Sequence, residues 1–135
     1  EKIWEHTPLN YRNAPDGLSG NDDCGQMSAW LVFSSMGFYP VCPGTDEYVF
    51  GSPLFDKITL QLENGNEFVI SSENNSKENV YVDDITLNGK NWDKNYIQHS
   101  TIQDGGEINF SMNNTPNKKR GTKSRSYPYS MTNED

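Results

Sequence analysis

Two neighbouring carboxylates, Asp22 and Asp23, are the residues of this sequence best suited to acid–base chemistry. They follow a turn-forming stretch, residues 17–21, and precede an apolar run that predicts a helix. The dipole of a helix stabilises the charged form of a carboxylate at its amino end. A charged carboxylate suits a general base better than a general acid. The same pattern also fits a capped helix start with no catalytic role, so both interpretations stay open.

The helix that would position these carboxylates is predicted over residues 23–37. Asp23 followed by Gln26 matches a capping box, which makes Asp23 the N-cap. Gly37 is a suitable residue to end the helix, and Pro40 follows it. Apolar residues occupy nearly every face, and such a helix belongs inside a larger structure.

After the helix the hydrophobic pattern changes. Residues 38–56 are punctuated by proline and glycine, with a possible short strand at 48–50. From residue 57 onward apolar and polar residues alternate, which is typical of β-strands. Asn64-Gly65 and Asn88-Gly89 predict tight hairpin turns. A strand is also expected at 96–97, a helical turn at 100–103 and a last strand around 108–112. The fold class is therefore mainly β, with an antiparallel, sandwich-like region over residues 57–112.

Composition excludes several classes of function. The chain has 135 residues and a formal net charge of −8, which argues against binding nucleic acid or anionic membranes. No apolar run reaches the length that spans a membrane, so no membrane insertion is expected. The sequence begins with Glu1 and carries no signal peptide, and we therefore expect a piece of a longer precursor. Residues 113–135 are polar with scattered basic residues, and we expect a solvated tail there.

The two cysteines, Cys24 and Cys42, leave two alternatives open. A disulfide is possible, although the sequence gives no distance between them. A pair of small buried free thiols is the favoured interpretation. No cluster of Cys and His in the sequence predicts a zinc site.

The stretch around the two carboxylates resembles the C-terminal part of glycoside hydrolase family 92. The matching residues are Gly17-Leu18-x-Gly20-Asn21-Asp22-Asp23-x-Gly25-Gln26-Met27-Ser28-Ala29-Trp30, then Val32-Phe33-Ser34, Gly37-Phe38-Tyr39-Pro40-Val41-x-Pro43-Gly44 and Tyr48-Val49-Phe50-Gly51-Ser52-Pro53-Leu54-Phe55. Shorter matches follow at Asn74-Asn75-Ser76, Asn79-Val80-Tyr81 and Leu87-Asn88-Gly89. The family comprises exo-acting, calcium-dependent α-mannosidases of bacteria, especially gut Bacteroidetes. Its members have a large β-sandwich domain and an (α/α)6 barrel.

The resemblance implies how this chain is divided. Residues 1–44 would be the end of the helical barrel region, with the helix at 23–37 as one barrel helix. Residues 45–56 would be a connector, 57–112 the β-sandwich region and 113–135 a polar C-terminal tail. The chain would then be a C-terminal fragment of a longer enzyme, and alone it would lack activity.

The resemblance also implies residue roles. Family members invert the anomeric configuration, which requires an acid and a base about 6.5–9.5 Å apart. The family's base falls on Asp23, and Asp22 is the weaker candidate, since Glu also occurs at its position in the family. Some members carry Asp where this chain has Asn21.

Other parts of the enzyme fall outside this stretch. No residue here matches the general acid, and the calcium ligands lie largely elsewhere, so no metal ligand and no substrate-binding residue is assigned. The implied partners are mannose-containing glycans and the rest of the parent enzyme. The implied location is periplasmic, secreted or cell-surface in a bacterium.

Two other functions compete with an enzyme fragment. Residues 57–112 could be a carbohydrate-binding module that stacks sugar rings on Trp92 and Tyr96. The same region could instead be a structural buttress for a barrel. Aromatic residues on strands more often pack across the sheet than bind ligands.

Overall fold

The computed structural model describes residues 7–133, which contain several helical segments and two β-sheets around a shared core. The helix α1 spans Gln26–Met36 and a shorter helix, α2, spans His99–Gln103. The strands are β1 (Phe38–Tyr39), β2 (Glu47–Phe50), β3 (Lys57–Gln61), β4 (Glu67–Glu73), β5 (Tyr81–Leu87), β6 (Lys90–Asn91), β7 (Tyr96–Gln98) and β8 (Gly106–Asn113). The part of the predicted segment 1–44 that precedes residue 7 lies outside the described residues.

The strands form a three-stranded sheet in the order β1-β2-β7 and a five-stranded sheet in the order β3-β4-β8-β5-β6. Phe50 of β2 meets Phe110 of β8 edge to face, with ring centroids 5.4 Å apart, and so joins the two sheets. The core consists of the buried apolar side chains Met36, Phe38, Phe68, Ile70, Ile85, Ile97, Ile102, Ile108, Phe110 and Met112. The mainly β fold that the sequence predicts is confirmed.

Alternation along the strands follows the sequence pattern. In β8 the buried positions are Ile108, Phe110 and Met112, and the residues between them are half-buried. In β4 Phe68 and Ile70 are buried while Glu67 and Glu73 at the strand ends are exposed. The period of two places every second side chain in the core. The predicted short strands at 48–50 and 96–97 and the helical turn at 100–103 are also present as β2, β7 and α2.

One pairing differs from the antiparallel prediction: β4 and β8 run parallel, with Ile70 opposite Ile108. The reason is a tertiary contact at the start of both strands. Asn64 and Asn66, in the loop before β4, each donate a side-chain hydrogen bond to the carbonyl of Gln103, at 2.8 and 3.0 Å. This contact holds the end of α2 beside the β3–β4 loop, so β8 starts next to the start of β4.

The two predicted hairpin turns have different geometries. Asn88 and Gly89 both have positive φ, at 50° and 73°. They connect the paired residues Leu87 and Lys90, as a two-residue turn should. At Asn64-Gly65 only the glycine has positive φ. There Gly65 donates to the carbonyl of Leu62 at 3.0 Å, so the loop is longer than the predicted two-residue turn. The contact of Asn64 with α2 explains why it takes no part in a two-residue turn.

The expectation of a solvated tail is wrong for the middle of residues 113–135. The guanidinium of Arg120 donates to the carbonyls of Trp92 and Lys94 at 3.0 and 2.8 Å. It also donates to the side-chain oxygen of Asn95 at 3.1 Å, and Asn95 in turn donates to the carbonyl of Gly121 at 2.8 Å. Polar side chains attach this part of the chain to the body of the protein. The composition of such a segment is the same as that of a solvated tail, so composition could not distinguish the two.

The cysteines also differ from expectation. Cys24 and Cys42 are both free, and Cys24 is exposed whereas Cys42 is half-buried. The favoured interpretation of two buried thiols is therefore wrong for Cys24, because it lies in the turn before α1 and not in the helix. Within the described residues, no helix is both long and apolar enough to cross a bilayer.

Candidate active-site loop

The turn before α1 has an unusual backbone. Asp23, Cys24 and Gly25 all have positive φ, at 49°, 60° and 96°. Two of these residues carry side chains, for which the left-handed conformation costs roughly 1–2 kcal/mol each. The helix begins at Gln26 with Gly25 as its N-cap, and it ends at Met36 before Gly37 as predicted. The prediction that Asp23 is the N-cap is wrong, because an N-cap side chain needs an extended backbone and Asp23 is left-handed.

Asp22 supplies the helix cap instead. One carboxylate oxygen, Oδ1, accepts a hydrogen bond from the backbone N–H of Ser28 at 2.9 Å. The hydroxyl of Ser28 lies 3.1 Å from both Oδ1 and Oδ2. The main-chain carbonyl of Asp22 also accepts from the N–H groups of Gly25 and Met27, each at 3.2 Å. Side chain and backbone of Asp22 together satisfy helix donors that would otherwise lack a partner.

Asp23 is exposed and projects from this turn. Its backbone N–H donates to the side-chain oxygen of Asn21 at 3.1 Å. Within residues 7–133 no hydrogen bond reaches its carboxylate. The two adjacent carboxylates therefore differ: Asp22 is fixed by Ser28, and both oxygens of Asp23 remain available to accept a proton.

Tyr11 lies next to this loop although sequence reasoning gave it no role there. Its hydroxyl donates to the carbonyl of Met27 at 2.8 Å. Burial raises the pKa of the Tyr11 hydroxyl above its ordinary value, and the negative charge of Asp22 and the neighbouring Tyr39 raise it further. Met27 lies 16 residues from Tyr11 in the sequence, so no local pattern indicated this contact.

A second loop, residues 11–18, faces the amino end of α1 across an open cleft of about 740 Å³. The loop is closed by the pairing of Tyr11 with Leu18 and by a 2.8 Å bond from the N–H of Arg12 to the carbonyl of Gly17. A Cβ atom at Gly17 would lie 2.0 Å from the carbonyl oxygen of Arg12, so only glycine fits there. Asn21 and Asp22 also line the cleft, whereas Asp23 is not among its lining residues, and the cleft is of the size of known ligand sites.

The calcium that the resemblance implies finds no donor set in this part of the chain. Among residues 7–133, no group of three or more His, Cys, Asp or Glu side chains is arranged to hold a metal ion. Calcium needs six to eight oxygen ligands, and both carboxylate oxygens of Asp22 already accept hydrogen bonds from Ser28. The described residues therefore do not fit a calcium site.

The aromatic pair that a binding module would use is already in contact with a cation. The ammonium of Lys94 lies 5.3 Å from the ring centroid of Trp92 and 5.0 Å from that of Tyr96. The indole N–H of Trp92 donates to the carbonyl of Tyr96 at 3.0 Å, and Trp92 also packs against the core. This geometry favours packing of Trp92 against the body of the protein over the stacking of a sugar ring.

The turn before α1 thus holds one carboxylate fixed by Ser28 and beside it an exposed one, and Asn21 and Asp22 of this turn border a cleft. Comparison with known proteins identifies the class. The family model for the "Glycosyl hydrolase family 92 catalytic domain" matches residues 1–114. The chain therefore belongs to glycosyl hydrolase family 92.

Individual relatives agree with the family model. An inverting mannosidase of family 92 from Bacteroides thetaiotaomicron superposes with a TM-score of 0.86 at 45% identity, covering 96% of this chain and 18% of that one. An α-mannosidase of the same family and organism, solved in complex with mannoimidazole, gives 0.88 at 42% identity, covering 96% of this chain and 17% of that one. A secreted glycosidase described as uncharacterized, from Arthroderma benhamiae, is 31% identical over 115 residues, which cover 83% of this chain and 15% of that protein. This chain thus spans less than a fifth of the length of these relatives.

Proposed function

We propose that this chain is part of a longer exo-acting α-mannosidase that hydrolyses α-mannosides of glycans with inversion, and that Asp23 is its general base. The family membership supports a glycoside hydrolase, and mannosidases among the similar structures support mannose-containing substrates. The observation that carries the base assignment is the contrast between Asp22, bound by Ser28, and Asp23, which is exposed and accepts no hydrogen bond within residues 7–133.

A general base in an inverting glycosidase takes a proton from water as that water attacks the anomeric carbon. The carboxylate must have a free lone pair and a fixed position. Asp23 meets the first condition because its oxygens are unoccupied among the described residues. It meets the second because its backbone is held in a left-handed turn by hydrogen bonds on both sides. In this proposal Asp22 shapes the turn and does not accept the proton.

The remaining parts of the proposed site belong to other segments of the parent enzyme. The general acid and the calcium that the resemblance implies are assigned to those segments, as is most of the substrate pocket. The isolated chain is therefore expected to release no mannose. The family relative described as secreted supports a location outside the cytoplasm, which we extend to a periplasmic, secreted or cell-surface enzyme.

Turnover of an α-mannoside by the parent enzyme, in the presence of calcium, tests the base assignment. Asp23→Asn keeps the shape of the side chain and removes the proton acceptor, so kcat should fall by about 10²–10⁴. Asp22→Asn should cost less, because an amide oxygen still accepts from Ser28. Near-normal turnover by Asp23→Asn would contradict the assignment. Release of mannose by the 135-residue chain alone would contradict the proposal that the site is divided across a longer protein.

A further inference from the structure

We propose that Ser28 is a positioning residue that decides which of the two carboxylates is free to act as the base. The inference rests on the proposed function. Ser28 does not face a reacting atom in this proposal. It acts through Asp22, which it holds with its backbone N–H and with its hydroxyl.

The contact between Asp22 and Ser28 joins residues that are farther apart in the sequence than those of an ordinary helix cap. A capping side chain normally reaches two or three residues ahead, from the N-cap itself. Here the carboxylate lies six residues before Ser28 and three before the N-cap Gly25. The chain between the two ends of this contact therefore closes into a loop, and Asp23 lies inside that loop.

The loop is strained, and the contact offsets that strain. Asp23 and Cys24 both occupy the left-handed region, which non-glycine residues adopt only where the surroundings hold them. The backbone bonds within the turn are long, at 3.2–3.3 Å for the N–H groups of Gly25, Gln26 and Met27. The 2.9 Å bond from the backbone N–H of Ser28 to Asp22 is the shortest bond that closes the loop, and the two 3.1 Å contacts of the Ser28 hydroxyl reinforce it. Without the hydroxyl contacts a single backbone bond would close the loop on Asp22, so the turn would relax toward ordinary backbone angles and the Asp23 carboxylate would move.

Ser28 also keeps Asp22 from competing with Asp23. Two carboxylates next to each other could each accept the proton from water. Because the hydroxyl of Ser28 lies 3.1 Å from both oxygens of Asp22, that carboxylate is directed toward the helix and is already in use as an acceptor. Removing the hydroxyl of Ser28 frees the Asp22 carboxylate to accept a proton at the wrong position. It also loosens the turn that holds the Asp23 carboxylate.

The test compares serine variants of the parent enzyme by kcat and KM on an α-mannoside. Ser28→Ala should lower kcat by about 10- to 100-fold with KM nearly unchanged, because displacing a catalytic group by about 1 Å has effects of that size. Ser28→Thr restores the hydroxyl and should return kcat to within about threefold of the wild type. Ser35→Ala is the matched control: it lies on the same helix and its hydroxyl donates to the carbonyl of Leu31 at 2.7 Å, away from the loop.

Two further variants keep the inference falsifiable. Asp22→Ala combined with Ser28→Ala should be no worse than Asp22→Ala alone, since the hydroxyl contacts that Ser28→Ala removes are already lost with the Asp22 carboxylate. If Ser28→Ala does not fold, Ser28→Cys replaces the hydroxyl with a weaker S–H donor, retains the backbone bond as Ser28→Ala also does, and should lower kcat in the same direction. Wild-type kcat in Ser28→Ala, a failure of Ser28→Thr to restore activity, or additive losses in the double variant would overturn the inference. If Asp23→Asn stays active, the proposed base fails instead, so the two failures are distinguishable.

Discussion

Tyr11 stacks on Trp30 with ring centroids 5.9 Å apart and planes inclined by only 9°. This pair ties the loop of residues 11–18 to the middle of α1. The hydroxyl of Tyr11 reaches the helix as well, through its bond to the carbonyl of Met27. One side chain thus fixes the distance between the loop and the amino end of the helix, and therefore the width of the cleft that Asp22 borders.

The stability of the chain should depend on Tyr11 at alkaline pH. Burial first, and then Asp22, raises the pKa of the Tyr11 hydroxyl above 10.0, so the folded state holds this proton more tightly than the unfolded state. The stabilisation is fully present below pH 10.0 and decreases as pH rises through the higher folded value. Urea unfolding between pH 10.0 and the higher folded value should show a steeper loss of stability for the wild type than for Tyr11→Phe.

A control separates this effect from general alkaline unfolding. Tyr127→Phe removes another tyrosine hydroxyl, one that donates to the carbonyl of Thr122 at 2.8 Å on an exposed side chain. It gives the effect on alkaline unfolding of removing an exposed tyrosine hydroxyl, with which the effect of Tyr11→Phe is compared. At neutral pH, Tyr11→Phe should cost about 0.5–1.5 kcal/mol, which is the net value of one hydrogen bond. Identical alkaline slopes for wild type and Tyr11→Phe would contradict the prediction.

Arg120 should be the main attachment of the tail to the body of the protein. Its guanidinium makes three hydrogen bonds, to Trp92, Lys94 and Asn95, from a partly buried position. Arg120→Met keeps much of the apolar stem and removes all three, so unfolding should become easier by about 1.5–3 kcal/mol. Chemical denaturation measures this, and limited proteolysis should cut within residues 114–126 faster.

Arg125 offers the matched control for Arg120. It pairs with Asp93 at 2.7 Å, but its side chain is 70% exposed. Exposed ion pairs contribute about 0–1 kcal/mol, so Arg125→Met should have little effect. Equal losses from the two substitutions would mean that charge, and not the buried hydrogen bonds, holds the tail.

The two-residue turn at Asn88-Gly89 should show two separable contributions. Asn88 has φ of 50° and its side-chain oxygen accepts from the N–H of Glu107 at 2.8 Å. Asn88→Gly removes the hydrogen bond and keeps the left-handed freedom, whereas Asn88→Ala loses both. Thermal unfolding should therefore rank Asn88→Ala below Asn88→Gly, by roughly 1 kcal/mol. The opposite order would mean that the glycine's loss of conformational entropy outweighs the strain.

The structural features that depend on neighbouring residues were predicted correctly from short patterns in the sequence. Alternation located β4 and β8, and Gly37 and Asn88-Gly89 marked a helix end and a turn, because each signal depends on neighbouring residues. The start of α1 was predicted wrongly, since Asp23 and Gln26 match a capping box while the actual cap joins Asp22 to Ser28. The attached tail and the parallel pairing of β4 with β8 depend on contacts made by Arg120 and by Asn64 with residues more than 20 positions away, which no short window contains.

The same limit applied to the candidate site. The pair of carboxylates was found from sequence, and the family model and the solved relatives confirm the resemblance that drew attention to it. The difference between the two side chains could not be predicted, because it depends on the positive φ of Asp23 and on a hydroxyl six residues from Asp22. The contact of Tyr11 with this loop could not be predicted either, because its partner Met27 lies 16 residues away in the sequence.

The isolated chain should self-associate through the exposed apolar side of α1. Val32 is 57% exposed in the middle of this helix, and Leu9 and Val41 are 74% and 62% exposed. Apolar surface of this kind on a helix favours a partner, and in dilute solution a second copy of the chain is the available one. Light scattering over a concentration series should give a mass that rises above the 15.3 kDa of the monomer.

Val32→Gln should reduce this association without harming the fold, because the side chain is largely exposed and glutamine is a good helix former. Met131→Gln is the control, since Met131 is 72% exposed but lies in the tail, away from α1. Both variants keep the net charge of −8, so a difference between them cannot come from charge repulsion. A monodisperse monomer at all concentrations, or equal effects of the two substitutions, would contradict the assignment of this surface to α1.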